Sequence, residues 1–406
     1  MFKLKSFFDE FLKLYGDPVD DFVDRLSCAI SVSVVTLFFL WNSGALHFGQ
    51  PIACIYWQEQ SKIKAWLNYY TDRCFIEGTY RYHYGNATSL IQDPVVDYEF
   101  GRMWNYMWNP YVLFAFAFAF RVPKYFWDTC LYFHPFDYRS AVKEAKKLDS
   151  LHGEEYKTQL TVCVKNIIHY CEFSQKSESY GIWGAVGHVI TKWLYVLNVT
   201  AQFYILKEYV GDGEINWGWE VITGEFFSGK QSRLFPFTSF CPMLITEFKD
   251  PQEYIFQCVL PINLINEKIF VFLWFWMLFV FAFAFCSALY ATMISFMPST
   301  RRNTVVRLMQ VSEAEKDFDH RKMQHFVHEI LFADGLLILL LVKEHAGAII
   351  ASNISRALWR RTFYKNSHAV AVRPPNGVRI REECSPLKQK VPVKCATIKQ
   401  GVMVMA

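Results

Sequence analysis

Eleven cysteines are the residues of this 406-residue chain with the most chemistry to offer. They stand at 28, 54, 74, 130, 163, 171, 241, 258, 286, 384 and 395, and their odd number excludes complete internal pairing. A thiol can be a metal ligand, a nucleophile or half of a disulfide. The compartment decides much of this, because disulfides persist only on the oxidising side of a membrane. A zinc site has two places to form. Cys163, His169 and Cys171 lie close in sequence, and His325 and His328 are three apart beside Asp319, His320 and Glu329. The histidines lack a His-Glu-x-x-His pattern and have no cysteine near them. A solvated helix face and a helix with two free thiols are the better readings, so no metal and no cofactor is expected. Catalytic patterns are missing too: there is no glycine-rich phosphate loop, no Gly-x-Ser-x-Gly elbow and no carboxylate pair within an apolar run. The chain is not expected to be an enzyme.

The elements that must position those cysteines are membrane spans. The composition is 52% hydrophobic and 18% aromatic, yet the mean hydropathy is only +0.10. Apolar spans are therefore diluted by large polar segments. A net charge of +4, with no basic stripe interleaved with aromatics, does not suggest nucleic acid. The first residues carry Asp9 and Glu10 where a signal's apolar region would fall, so no cleavable signal is read. Four runs are long enough to span a bilayer: 26–48, 106–126, 189–210 and 269–296. The last is the clearest, with Cys258 and a polar collar of Asn263, Asn266, Glu267 and Lys268 before it. In the second, Phe and Ala alternate from Phe114 to Phe120, Arg121 is expected to snorkel, and Pro123 to kink or end the helix. In the third, Asn198 and Gln202 share a face and read as interhelical hydrogen-bonding residues rather than pore lining.

Between the spans lie loops at 49–105 and 211–268 and a polar connection with helical patches at 127–188. Residues 1–25 form an amphipathic N-terminal helix and its turn, suited to a membrane surface or a pore mouth. Residues 297–372 read as a helical soluble domain, in which the apolar Leu336–Val342 is too short for a fifth span. Residues 373–406 read as a disordered tail. The loops 49–105 and 211–268 are poor in Lys and Arg, and most of the 42 basic residues lie elsewhere. The positive-inside rule then places both termini and the middle connection in the cytoplasm and both loops outside. Each outer loop holds two cysteines, Cys54 and Cys74 in one, Cys241 and Cys258 in the other. Four cysteines allow three pairings. The remaining cysteines should be free thiols. Asn86-Ala87-Thr88 is a glycosylation sequon in the first outer loop, read as unused. Four spans with two stapled outer loops describe a rigid cap suited to protein–protein contact across a gap.

Particular residues resemble the innexins, the invertebrate gap-junction channel proteins. Asp20-Asp21-Phe22-Val23-Asp24-Arg25-Leu26 is similar to that family's entry to the first span, and Phe48-Gly49-Gln50-Pro51-Ile52-Ala53-Cys54 to its first outer loop. The most specific match runs from Cys258-Val259-Leu260-Pro261-Ile262-Asn263-Leu264 through Glu267-Lys268 to Phe272-Leu273-Trp274-Phe275-Trp276. Phe326 to Gly335 resembles the cytoplasmic helical dome. The chain departs from the family at the second span. Asn105-Tyr106-Met107-Trp108-Asn109-Pro110 stands where the family has Tyr-Tyr-Gln-Trp-Val and often Pro, and Ser27-Cys28 replaces Asn-Tyr.

The resemblance implies an all-α membrane protein of four transmembrane helices, with disulfide-stapled extracellular loops and a helical cytoplasmic domain, assembling around a central pore. It implies an octamer of identical or related subunits in the plasma membrane, docked at cell–cell junctions to a hemichannel on the adjacent cell and passing ions and small metabolites. It also implies nested disulfides, Cys54–Cys258 and Cys74–Cys241, and a pore lined by the N-terminal helix and first span, with Phe2 and Leu4 near the narrowest point. A non-junctional large-pore channel and a pore-less tetraspan adhesion or scaffold protein are the alternatives. The first 24 residues hold Lys3, Lys5 and Lys13 against Asp9, Glu10, Asp17, Asp20, Asp21 and Asp24. Repeated rings of acid at a pore mouth favour cations. Asp9→Asn combined with Glu10→Gln should therefore shift the reversal potential under a salt gradient toward lower cation preference. An unshifted potential would remove these two residues from the pore.

Overall fold

The computed structural model describes residues 17–55, 64–79, 105–176, 180–226, 234–247, 250–311 and 319–363. Phe2, Leu4, Asp9, Glu10, Asn86 and the tail 373–406 lie outside the described residues. Apolar length sets the scaffold. Among the described residues, three helices are long and apolar enough to cross a membrane: α1 (Phe22–Phe48), Gly181–Tyr209, and Pro261–Phe296. Each is longer than its apolar run. In chain order after α1 come β1 (Ala53–Ile55), α2 (Lys64–Glu77) and α3 (Asn105–Phe133). The helix α3 has the length of a span and packs along α1, but Asn109, Arg121 and Lys124 hold down its mean hydropathy. Pro123 neither ends nor interrupts it, contrary to the sequence expectation, and α3 runs through both Pro110 and Pro123 to Phe133. Membrane helices tolerate prolines where neighbouring helices and local adjustment re-satisfy the freed backbone groups.

The chain continues as α4 (Tyr138–Lys147), α5 (Gly153–Lys176), α6 (Tyr180–Tyr209), the short α7 (Trp217–Glu220), β2 (Thr238–Glu247), β3 (Asp250–Val259) and α8 (Pro261–Phe296). Proline suits the first turn of α8, where its missing N–H has no partner to lose. The four long helices bury one core, with Val35 of α1, Phe116 and Phe120 of α3, Val199 of α6, and Phe270 and Trp274 of α8. One turn of α1, Leu26–Ile30, is wound as a π turn. There the Ser31 hydroxyl donates to the Leu26 carbonyl at 2.9 Å.

At one end of the bundle the expected loops contain a sheet, which periodicity does not disclose. Its order is β1-β3-β2, antiparallel throughout. Burial alternates along the strands: Cys241, Met243, Phe256 and Cys258 face the core with Tyr70 and Cys74 of α2, while Leu244, Ile255 and Val259 are exposed. At the other end lies a helical dome, built by α4, α5, α9 (Pro298–Gln310), α10 (His320–His325), α11 (Phe332–Ala346) and α12 (Ala348–Phe363). The apolar Leu336–Val342 falls in α11 and is buried in the dome core with Leu160, Ile167, Leu308 and Phe326.

The dome is pinned to α6 by Asp334 of α11, a fully buried carboxylate. It accepts from the Ala185 amide at 2.7 Å, the Gly184 amide at 3.2 Å and the Tyr170 hydroxyl at 2.9 Å. Amides near a helix start are where a negative charge is best placed. Close approach requires glycine at 184, because a Cβ there would lie 2.0 Å from the Tyr138 hydroxyl and 3.3 Å from Asp334 Cγ. Gly184→Ala should cost about 1–3 kcal/mol, read as a lower thermal midpoint of the detergent-solubilised protein. Adding Tyr138→Phe, which removes the clashing oxygen, should restore part of it. A wild-type midpoint for Gly184→Ala alone would show that the contact yields freely.

Candidate functional site: the two anchored ends of a membrane bundle

At the sheet end, register brings the cysteines together. Cys54 of β1 stands opposite Cys258 of β3, and the two form a disulfide. The second bond, Cys74–Cys241, ties α2 to β2. The bonds close chain separations of 204 and 167 residues, one nested within the other. Cross-links over such long loops restrict the unfolded chain most. The polar collar ties α8 to the lead-in of β2 and to α1. Asn263 donates to the Pro236 carbonyl at 3.0 Å, and buried Asn42 of α1 hydrogen-bonds to Asn266. Trp274 donates its indole N–H to the Ile215 carbonyl at 3.0 Å.

At the dome end, sequence reasoning missed the main feature. The segment entering α1 carries two acidic pairs, Asp17/Asp20 and Asp21/Asp24, each three residues apart. Lys124 of α3 meets the first pair, at 2.8 Å from Asp17 and in contact with Asp20. Lys192 of α6 meets the second, at 2.8 Å from Asp21 and 2.7 Å from Asp24. Both lysines are almost wholly buried. Arg139 of α4 extends the first cluster, 3.1 Å from Asp17 and 2.5 Å from Asp128. Arg25 then donates to Nδ1 of His345 in α11 at 3.0 Å. One short segment is thus tied to two membrane helices and two dome helices. Part of the signal was available in the sequence: an ammonium within a span requires a partner, and two acid pairs stand at the first span's entry, although Asp128, four residues from Lys124 and 3.3 Å from it, is a nearer acid.

Electrostatics differ along the segment. Burial pushes the Asp17 carboxyl up, but Lys124 and Arg139 outweigh it and hold the group below the usual carboxylate range. Burial likewise raises Asp21, and Lys192 and His188 outweigh it, leaving about 2. For Asp20 burial wins, with Asp24 and Asp17 adding repulsion against the pull of Lys124, and its pKa rises to about 7. Asp20 shares its single ammonium with Asp17, which also has Arg139 and more water.

The other residues singled out in the sequence do not form sites. His169 is exposed while Cys163 and Cys171 are buried, so the three do not converge. His325 pairs with Glu329 at 2.8 Å on an exposed face. Among the described residues two groups come close enough to share a metal ion. One comprises disulfide cysteines. The other, Asp21, Asp24 and His188, already holds the Lys192 ammonium between its carboxylates. The expected hydrogen bonds of Asn198 and Gln202 are not seen: Asn198 Nδ2 and both amide atoms of Gln202 lack partners among the described residues. Arg121 lies over the Tyr125 ring and reaches Cys28 Sγ of α1 at 3.6 Å.

A family model described as Innexin matches residues 20–362. The chain belongs to the innexin family. Innexin-3 of Caenorhabditis elegans is 27% identical to it over 356 residues, covering 84% of this chain and 83% of the relative. Innexin unc-9 of the same organism is 25% identical over 358 residues, covering 84% and 91%. Innexin-19 of Caenorhabditis briggsae is 27% identical over 398 residues, covering 87% and 88%. In this innexin the family match begins at Asp20, within the ionic segment, and ends in α12, so it covers both anchored ends. One departure from the family pattern has its own partner here: Asn109 accepts from the Tyr209 hydroxyl of α6 at 2.8 Å.

Removing one partner of a buried ion pair costs about 3–5 kcal/mol, because the other charge is left uncompensated. Lys192→Met should therefore lower the thermal midpoint of the solubilised innexin sharply. Lys192→Met with Asp21→Asn and Asp24→Asn should recover much of the loss. A single variant that melts like wild type would mean that water already reaches the pair.

Proposed function

We propose that this innexin is a gap-junction channel subunit whose sheet end faces outside the cell and whose dome lies in the cytoplasm. The observation that carries the reading is the disulfide-linked sheet capping one end of the bundle, in a chain of this family. Disulfides belong on the oxidising side. The basic residues concentrate in the segments that build the other end, as the positive-inside rule asks. The chain crosses the bundle an even number of times, so both termini would be cytoplasmic.

Subunits assemble around a central pore as an octamer, of one chain or of related ones. The N-terminal helix and α1 line it. A face of α1 with Leu37, Leu40 and Trp41 is exposed within the single subunit, which suits either the pore or a neighbouring subunit. The residues expected at the narrowest point, Phe2 and Leu4, precede the ionic cluster at Asp17–Asp24 in the chain. In the cap, two cross-links fix β1, β2, β3 and α2 relative to one another. Rigid loops lose little freedom on meeting an opposing hemichannel, which is how preorganisation favours binding.

The test is dual recording from paired cells. Serine at Cys54, Cys74, Cys241 or Cys258 removes a bond whose loss from a small secreted domain costs about 2–5 kcal/mol. Each variant should reach the surface and lose junctional current. Full coupling by all four would sink the docking role of the cap. Current in single cells without any between wild-type pairs would instead favour a non-junctional channel, and none in either, with surface delivery intact, a pore-less adhesion protein.

A further inference from the structure

A cavity of about 250 Å³ opens where the entry to α1, the start of α6, the last turns of α8 and the dome helix α11 meet. It lies outside the cap and borders the ion cluster at Asp21 and His188. Its lining includes apolar Ile294 of α8 and Leu337 and Leu341 of α11, together with Ser287, Ser295 and His188. Along α8 it extends from Ser287 to Ser295, about 12 Å at 1.5 Å per residue, so it lies lengthwise against a membrane helix. Its rim holds both signs of charge. Lys343 and Glu344 are exposed, and neither side chain has an ion-pair or hydrogen-bond partner among the described residues. The Asp21 carboxylate also lines the cavity but is already engaged, by Lys192 at 2.8 Å and by the Asp24 backbone N–H, with His188 3.8 Å away.

We infer that this cavity binds the headgroup of an aminophospholipid, with the phosphate on Lys343, the primary ammonium on Glu344, and an acyl chain along α8. The neighbouring Lys343 and Glu344, both without a partner among the described residues, match a zwitterion carrying both signs a few ångströms apart. A primary ammonium has three N–H donors for carboxylates. A trimethylammonium has none and is recognised by aromatic cages, whereas this cavity has only Phe22 and Tyr290. The apolar length beside α8 favours a lipid over a soluble phosphate. The inference needs α8 to lie in a membrane and does not need the channel reading, since a pore-less protein of this fold would have the same cavity.

The test uses the full chain reconstituted in nanodiscs of phosphatidylcholine containing phosphatidylethanolamine, then released for native mass spectrometry of the bound lipid. Wild type should retain phosphatidylethanolamine in preference to phosphatidylcholine. Losing one charge-assisted contact corresponds to roughly tenfold in affinity, so Lys343→Gln and Glu344→Gln should each lower retention by about that factor. Both residues are exposed, and gel filtration with the thermal midpoint would verify that the variants are folded. Ser287→Phe, which fills the membrane side of the cavity, should block retention with the charges intact. Soluble phosphoethanolamine at the same concentration should displace nothing. Equal retention of the two lipids by wild type, unchanged retention in the folded charge variants, or displacement by the soluble amine would each overturn the proposal.

Discussion

An ammonium buried in a membrane bundle must have a counter-charge within hydrogen-bonding reach, and much of this structure depends on how two lysines obtain theirs. Desolvating such an ion costs several kcal/mol even after relaxation. Lys124 and Lys192 sit in different helices, and each is held by two carboxylates of a single eight-residue segment. The segment cannot leave without stranding the Lys192 ammonium and leaving Lys124 only Asp128 of its own helix, 3.3 Å away. The start of α1 is therefore fixed against α3 and α6 before any apolar packing is counted. Through Arg139 and His345 the same segment is also tied to the dome. The spacing makes this possible, because carboxylates three residues apart, on a turn or the first turn of a helix, lie close enough to share one ammonium.

The two ends of the bundle are secured by different chemistry, and the proposed sidedness accounts for the difference. Disulfides serve where thiols oxidise, so the sheet end is held covalently. At the opposite end Cys28, Cys130, Cys163 and Cys171 remain free, and cohesion comes from ion pairs and from the buried Asp334 carboxylate. A disulfide holds whatever the protonation of its neighbours. The ionic end is conditional, because each pair depends on charge state and on exclusion of water. The rigid end is thus the one proposed to meet another cell, and the conditional end adjoins the segment proposed to line the pore.

The long apolar runs reveal the bundle because their signal is local. Twenty-eight residues from Ile269 to Phe296 have few other places to go. The cysteines and the family resemblance point to the cap and its bonds, but not to the sheet, whose strands contain Pro242 and Pro251, residues that argue against a strand. Helix ends are less legible where a proline suggests a stop, since tertiary packing carries α3 past Pro123. The ion cluster is hidden for a different reason. Lys192 and Asp24 are 168 residues apart, and nothing local to either names the other. Only the requirement that intramembrane charges be paired links them.

That requirement also accounts for α3, the weakest of the four long helices by hydropathy. Its polar residues are not scattered dilution. Asn109 accepts from Tyr209 of α6, Arg121 reaches Cys28 of α1, and Lys124 holds the entry segment. Each joins α3 to a different partner, in order from the sheet end to the dome. The helix α8 keeps its directional contacts near the sheet end, through Asn263, Asn266 and Trp274, and much of the rest of its surface is exposed phenylalanine. A helix that must fix the positions of two others needs directional contacts, because apolar packing tolerates sliding and rotation that hydrogen bonds and ion pairs do not. The low hydropathy of α3 is therefore what its position between α1 and α6 requires: it gives up partitioning into lipid for register.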